Sequence, residues 1–272
     1  MKQFNKFIGY CALAIPLMTA CTDSFDSMNT NPAAALDVSP AYTLPSVIEW
    51  ATNVDCFAYQ VGENLYTQFY AQYFTNTQNG WNSDRYGYND GWAMAGFWNP
   101  YFTALKHLKV LKNEVATHPS YSNIYQMMRI IVAERTAAMT DIYGDIPYSA
   151  AALGNDGPAY DAQKDIYYDI FKELTEASDA LNQNLTGQET CTDQQDLIYA
   201  GNIQKWRKFA NSLRLRYALR LTNIDPAKAK AEGEAALAAG VMSNEDESAM
   251  EKIFATAGRT PASWPSTVSR SI

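Results

Sequence analysis

Basic charge is in short supply in this 272-residue chain: 21 Lys and Arg face 29 Asp and Glu, a formal net charge of −8. Phosphate backbones are bound by basic surfaces, so this acidity argues against nucleic acid as a partner. Histidine is scarcer still. His107 and His118 are the only two, and their spacing matches no metal-ligand motif. His107 reads as an exposed helix residue and His118 as a helix-end residue before Pro119. The chain has no GxSxG, HExxH, P-loop or post-strand GxGxxG pattern, so no catalytic constellation, metal or cofactor is expected. Of four cysteines, Cys11 and Cys21 lie near the start. That leaves Cys56 and Cys191, which are no disulfide framework, although two thiols can pair in an oxidising compartment. No segment alternates with period two, and beyond the first twenty residues no apolar run approaches the roughly 20 residues of a membrane span. Aromatic residues, by contrast, are abundant: 18 Tyr, 11 Phe and 6 Trp.

The first twenty residues read as a secretory leader rather than as structure. Lys2 and Lys6 precede the apolar run FIGYCALAIPL (7–17), and small residues Thr19 and Ala20 stand before Cys21. Met18-Thr19-Ala20-Cys21 resembles a bacterial lipobox, with Met in place of the usual Leu. Cys21 is then the lipid-bearing first residue of the mature chain, and acyl chains hold it to a membrane without a transmembrane helix. Removal of Lys2 and Lys6 leaves 19 basic and 29 acidic residues, a balance of −10. Residues 21–39, polar and Pro-containing, form a tether.

From residue 40 to 254 the pattern is helical, which predicts an all-α fold of helix pairs joined by short turns and long irregular loops. Two helical stretches fit between Pro40 and Thr75, broken near Asn53-Val-Asp55. A helix from about Trp92 to Ala116 contains Pro100, which fits a first turn only if the helix begins near Trp98. Tyr121–Tyr143 is the next. Another runs from about Ala162 to Asn184, with Ile166, Ile170, Leu174, Ala177 and Leu181 at three- and four-residue spacing and Asp161 as N-cap. In 203–222 a stripe of Trp206, Phe209, Leu213, Tyr217 and Leu221 faces one way. Its basic residues, Lys205 to Arg220, suggest an anion site or, as the favoured reading, a solvated or ion-paired face with counter-charges on acidic helices such as 161–179. Asp225-Pro226 and Gly240 bracket a short Ala-rich helix. Stacked pairs of this kind suggest a TPR-like solenoid.

The helix ending near Met139 runs into TDIYGDIPYS (140–149), which holds two acids, a Gly and a Pro. It is either a carboxylate pair for catalysis or a turn. Glycoside hydrolysis needs two carboxylates at a set separation across a sugar ring, which neighbours on one tight turn rarely provide. A turn is favoured, with Gly144 at φ > 0, Pro147 stopping the helix, and Asp141 and Asp145 bonding local backbone.

TDIYGDIPYS at 140–149, YDAQKDIYYDIFKEL at 160–174 and KWRKFANSLRLRYALRL at 205–221 together resemble successive motifs of SusD/RagB-like outer-membrane lipoproteins of Bacteroidota. The lipobox and Asp23 fit the same group. The resemblance covers most of 21–240. It implies a TPR-like scaffold at the outer membrane, anchored by lipid and facing outward, that binds oligosaccharides, or in some members peptides. It also implies a SusC-like TonB-dependent transporter as partner. A surface glycoside hydrolase is the alternative of a different class.

Residues 76–91, NTQNGWNSDRYGYNDG, form a Gly/Asn/Asp-rich loop loaded with aromatics. Flat rings that stack on pyranose C–H faces, with short polar groups for the hydroxyls, make a sugar site. Trp81, Tyr86 and Tyr88 supply the rings; Asn82, Asp84, Arg85 and Asn89 supply the polar groups. The competing reading packs the same aromatics onto the scaffold or the transporter. Trp98 and Tyr101 are expected in the core. The closing stretch 255–272 has two prolines and no helical stripe. It is expected to be irregular, and the chain to be a fragment interrupted near residue 255 whose uncapped stack self-associates, binds a hydrophobic dye and, expressed alone, binds glycan poorly or not at all.

Overall fold

The computed structural model of the chain describes residues 38–52, 59–77, 82–154, 156–183, 185–254 and 267–271. The leader, Cys21, most of the tether, Cys56 and Trp81 lie outside them.

A 3-10 turn (Pro40–Tyr42) begins at Ser39, whose hydroxyl accepts the Ala41 N–H at 3.1 Å, and leads into α1 (Leu44–Thr52). A π-helical segment, π1 (Gln60–Thr67), runs into the single turn α2 (Gln68–Tyr70). After the aromatic loop, α3 (Asp90–Ala93), a second π-helical turn π2 (Met94–Trp98) and α4 (Asn99–Val115) follow one another without a break. Then come α5 (Ser122–Tyr143), α6 (Gln163–Asn182), α7 (Ile203–Arg220) and α8 (Pro226–Ala239). From α4 onward each long helix packs on the next, and α1 lies against both α4 and α5. The expected all-α stack of helix pairs is present. Extended structure is confined, among the described residues, to two antiparallel pairs. β1 (Ile146–Pro147) pairs with β2 (Tyr160–Asp161), and β3 (Met250–Phe254) pairs with β4 (Thr267–Ser271). The second pair corrects the expectation of a wholly irregular 255–272.

The helical stripes are the core. Ile166, Ile170, Leu174, Ala177 and Leu181 of α6 meet Trp206, Phe209, Leu213 and Tyr217 of α7, all buried. Asp225 caps α8 through the Lys228 N–H at 3.0 Å, Pro226 follows, and Gly240 closes the helix at φ 94°.

Four local expectations need correction. His107 is half-buried on α4, and burial, helped by the Lys106 charge, pushes its imidazole below the usual range. Asp161 is not the N-cap of α6. That position belongs to Ala162, because pairing in β2 draws the Asp161 carboxylate to the Tyr148 and Ser149 N–H groups at 3.0 and 2.8 Å. The acids that answer the basic residues of α7 are not on α6. Arg214 pairs with Glu232 of α8 at 2.5 Å, Lys208 with Glu247, and Arg220 with Asp141, while Arg207 reaches α6 only through the Ser178 carbonyl. Cys191 carries a free thiol, pushed up to about 12 by burial and by Asp196 and Glu189; the other half of the suggested pair, Cys56, is outside the described residues.

The stretch 140–149 is a turn whose carboxylates hold the scaffold. Gly144 ends α5 at φ 73°, ψ −119°, a region that a Cβ makes costly. Asp145 accepts the Gln163 N–H at 2.9 Å, so it caps the next helix from outside. Asp141 takes the Tyr167 hydroxyl and the Arg220 guanidinium, tying α5 to α6 and α7. Beyond the turn, the Lys109 ammonium gathers the carbonyls of Tyr148, Ser149 and Ala151 at 2.9, 2.9 and 2.5 Å.

The same loop should be acid-sensitive. Burial raises the Asp161 carboxyl, but the Ser149 hydroxyl, the Ser149 and Tyr148 N–H groups and the Lys109 charge outweigh it and hold it below its ordinary 3.8. A depressed folded-state pKa contributes stability above the ordinary carboxylate value, and that contribution is lost as pH falls through the folded value. Amide exchange at Tyr148 and Ser149, corrected for intrinsic rates, should accelerate below about pH 4 ahead of global opening. Protection that is constant down to global unfolding would count against this account.

Candidate functional site: an aromatic platform on paired π-helices

The loop before α3 is built on one tight turn. The Asn82 carbonyl accepts the Arg85 and Gly87 N–H groups at 3.0 and 2.9 Å, and the Ser83 carbonyl accepts that of Tyr86 at 3.1 Å. Tyr86 closes the turn in the left-handed region, φ 60°, a conformation unusual for an aromatic residue. The buried Ser83 pins the turn inward, and the Asp84 carboxylate accepts the Asn76 N–H at 3.2 Å, joining the two arms of the loop. At the far end Asn89 accepts the Trp92 N–H at 3.1 Å and caps α3. That cap explains why the helix begins at Asp90 rather than near Trp98.

This geometry displays two rings. Tyr86 and Tyr88 are 60% and 63% exposed, yet neither dangles. Tyr86 lies 5.4 Å from the Tyr70 ring, and its hydroxyl accepts from the Gln72 amide at 3.0 Å. Tyr88 sets its ring at 64° to that of the buried Tyr66, 6.3 Å away. Tyr66 in turn touches Tyr70 at 4.7 Å and Phe97 at 6.4 Å, and Phe97 meets Tyr143 at the end of α5 at 6.1 Å. A continuous run of rings therefore links the surface to the helix stack. The Tyr70 hydroxyl also donates to the Gly87 carbonyl at 3.2 Å, fastening the loop to α2.

Both supports of the loop are π-helical, a geometry that recurs at functional sites. They touch backbone to backbone: a Cβ at Gly62 would sit 3.0 Å from the Gly96 Cα. Pro100 lacks the N–H that an α-helix would send to the Gly96 carbonyl. Arg135, buried on α5, supplies the missing donor, reaching the carbonyls of Gly96 at 3.1 Å and Phe97 at 3.0 Å. Burial pushes its guanidinium down, with the Glu134 and Glu63 carboxylates acting in the opposite direction.

Of the residues expected at a site, Tyr86 and Tyr88 are presented together. Asn82 is exposed with its side chain lying over Gly87, where an added Cβ would fall 2.3 Å from Asn82 Cγ. Arg85 is exposed beside Asp84, 3.8 Å away. Asp84 and Asn89 hold the loop, and Trp81 is outside the described residues. Trp98 is only partly buried and stacks on Phe102 at 5.6 Å, whereas Tyr101 is fully buried as expected. Sequence reasoning missed the floor of the platform, Tyr66 and Tyr70, and the exposed neighbours Tyr73 (78%) and Phe74 (52%). The run YTQFYAQYF (66–74), with five aromatics in nine residues, carried that signal.

A stack of helix pairs carrying a surface aromatic platform is the class these features define. The family described as SusD-like, "Susd and RagB outer membrane lipoprotein", matches residues 37–264, and the chain belongs to it. Among solved structures, a chitin-binding protein is 32% identical with a TM-score of 0.66, the match covering 78% of this chain and 46% of that one. A SusD homolog from Bacteroides thetaiotaomicron is 30% identical, TM-score 0.68, over 80% of this chain and 44% of that one. A chitin-binding SusD homolog from Flavobacterium johnsoniae is 27% identical, TM-score 0.68, over 78% of this chain and 45% of that one. The chain thus spans less than half the length of these relatives. Among curated proteins nothing matches. No helix among the described residues is long and apolar enough to cross a membrane.

Proposed function

We propose that the chain belongs to a cell-surface lipoprotein, anchored through Cys21 in the outer membrane, that binds oligosaccharides and hands them to a SusC-like TonB-dependent transporter without cleaving them. The observation that carries the binding step is the pair of exposed rings, Tyr86 and Tyr88, each held from beneath by a second ring. Rings already in place, with Asn82 and Arg85 beside them, offer the flat apolar faces and polar edges that pyranose recognition needs. Chitin binding by two structural relatives makes N-acetylglucosamine oligomers the first ligands to try. Asp141 and Asp145, engaged by Tyr167, Arg220 and Gln163, are unavailable as a hydrolytic pair, which supports retention rather than cleavage. A peptide ligand is the second reading of the same platform.

The test is calorimetry with a chito-oligosaccharide and a panel of plant and microbial oligosaccharides. Tyr86→Ala and Tyr88→Ala should each weaken binding by about 1–3 kcal/mol while helicity is retained. Wild-type affinity in both variants moves the site elsewhere, and release of shortened products points to a hydrolase.

A further inference from the structure

The platform lies in a part of the chain almost without cations. Between Val38 and Leu105 the sequence contains one basic residue, Arg85, against five acids: Glu49, Asp55, Glu63, Asp84 and Asp90. Arg85 stands 3.8 Å from the Asp84 carboxylate, so its charge is already answered at the surface. Asp90 borders the most exposed ring of the turn, its carboxylate 3.4 Å from the Tyr88 hydroxyl. Glu63 lies on π1 beneath. Two cations of the following helices are withheld from solvent or engaged. Arg135 is 5% exposed and donates to the Gly96 and Phe97 carbonyls, and Lys109 is held by the carbonyls of Tyr148, Ser149 and Ala151.

We infer that the platform selects uncharged oligosaccharides and rejects those bearing carboxylate or sulfate groups, an inference that rests on the oligosaccharide reading above. A uronate ring stacked on Tyr88 brings its carboxylate alongside Asp90, while Arg85, the one basic residue of this part of the chain, stands beside Asp84, and like charges at that range repel. A neutral ring meets the same tyrosines, and its hydroxyls can donate to the exposed Asp90 carboxylate, which turns that acid into a favourable feature. Because Asp90 is at the surface, the discrimination is screened by salt.

The experiment is affinity electrophoresis of the chain through gels containing neutral polymers (glycol chitin, xyloglucan, galactomannan) or anionic ones (polygalacturonate, alginate, chondroitin sulfate). At low ionic strength at least one neutral polymer should retard the protein tenfold or more beyond any anionic one. Asp90→Asn should narrow that gap. Retardation by an anionic polymer equal to or greater than by every neutral one overturns the inference and leaves the oligosaccharide reading standing. A gap unchanged in Asp90→Asn and insensitive to salt also overturns it, because the selection is then not electrostatic. Migration unaffected by all six polymers overturns the oligosaccharide reading and this inference with it.

Discussion

Asp196→Ala should cost the fold about 3–5 kcal/mol or more, on the order of its whole stability margin. Asp196 is fully buried in the loop between α6 and α7, and its two oxygens accept four donors. Oδ1 takes the Ile198 and Tyr199 N–H groups at 3.0 and 3.1 Å. Oδ2 takes the Gly201 N–H and the Trp206 indole N–H, both at 2.7 Å. The loop it holds is strained, with Ala200 at φ 51° followed by Gly201 at φ 79°. Truncation leaves those buried donors without their partner, and the fully buried Trp206 loses its polar tie to the loop. Asp196→Asn is nearly as damaging for a different reason. Whichever way the amide is turned, its NH2 faces two N–H donors. Urea unfolding monitored by tryptophan fluorescence checks both variants; an Asn variant within about 1 kcal/mol of wild type would show that a carboxylate is not required there.

The second large effect concerns Arg135. Arg135→Met removes the side-chain donor from the Gly96 and Phe97 carbonyls, of which Gly96 has no i+4 N–H because of Pro100, at about 1–3 kcal/mol for a buried group left unpaired, partly offset because a buried cation disappears as well. The expected net loss is about 1–3 kcal/mol. The cause is separable by supplying the missing donor from the backbone. Pro100→Ala restores an N–H opposite Gly96, so in the Arg135→Met background it should recover about 1 kcal/mol that it does not give to the wild type, a coupling readable in a double-mutant cycle. Simple additivity between positions 100 and 135 would remove the argument. Ligand affinity should fall alongside stability in Arg135→Met, since π2 carries Phe97, the ring on which Tyr66 and, through it, Tyr88 are seated.

How much of this was legible beforehand depends on whether a signal is local. The long helices and the Asp225…Gly240 caps announce themselves through three- and four-residue spacing and punctuation, and α5–α8 lie where that spacing puts them. The π-helical turns do not. Pro100 raised the difficulty at the right place, but its resolution needs a guanidinium from a helix 35 residues on, which no local pattern encodes. Asp196 sits in no periodic segment, and its role emerges only when Trp206 folds back on it. The counter-charges of α7 were misplaced because both α6 and α8 pack on that helix, and spacing alone does not say which neighbour each arginine faces. In the candidate site, composition pointed to Tyr86 and Tyr88. The rings beneath them were hidden because Tyr66 and Tyr70 fall in a stretch that reads only as helical.

The contact of Gly62 with Gly96 bears on the thermodynamics of binding. With no side chain between them, π1 and π2 meet as two rigid backbones, and the loop spanning them is tied to both ends of that joint by Tyr70–Gly87 and Asn89–Trp92. On the site proposed above, a ligand at Tyr86 and Tyr88 would meet side chains whose rotamers are already restricted. Little conformational entropy remains to be lost on association, and the encounter does not wait for a loop to rearrange. A single methyl group at Gly62 would press on the Gly96 backbone, which would have to give by a few tenths of an ångström beneath the rings.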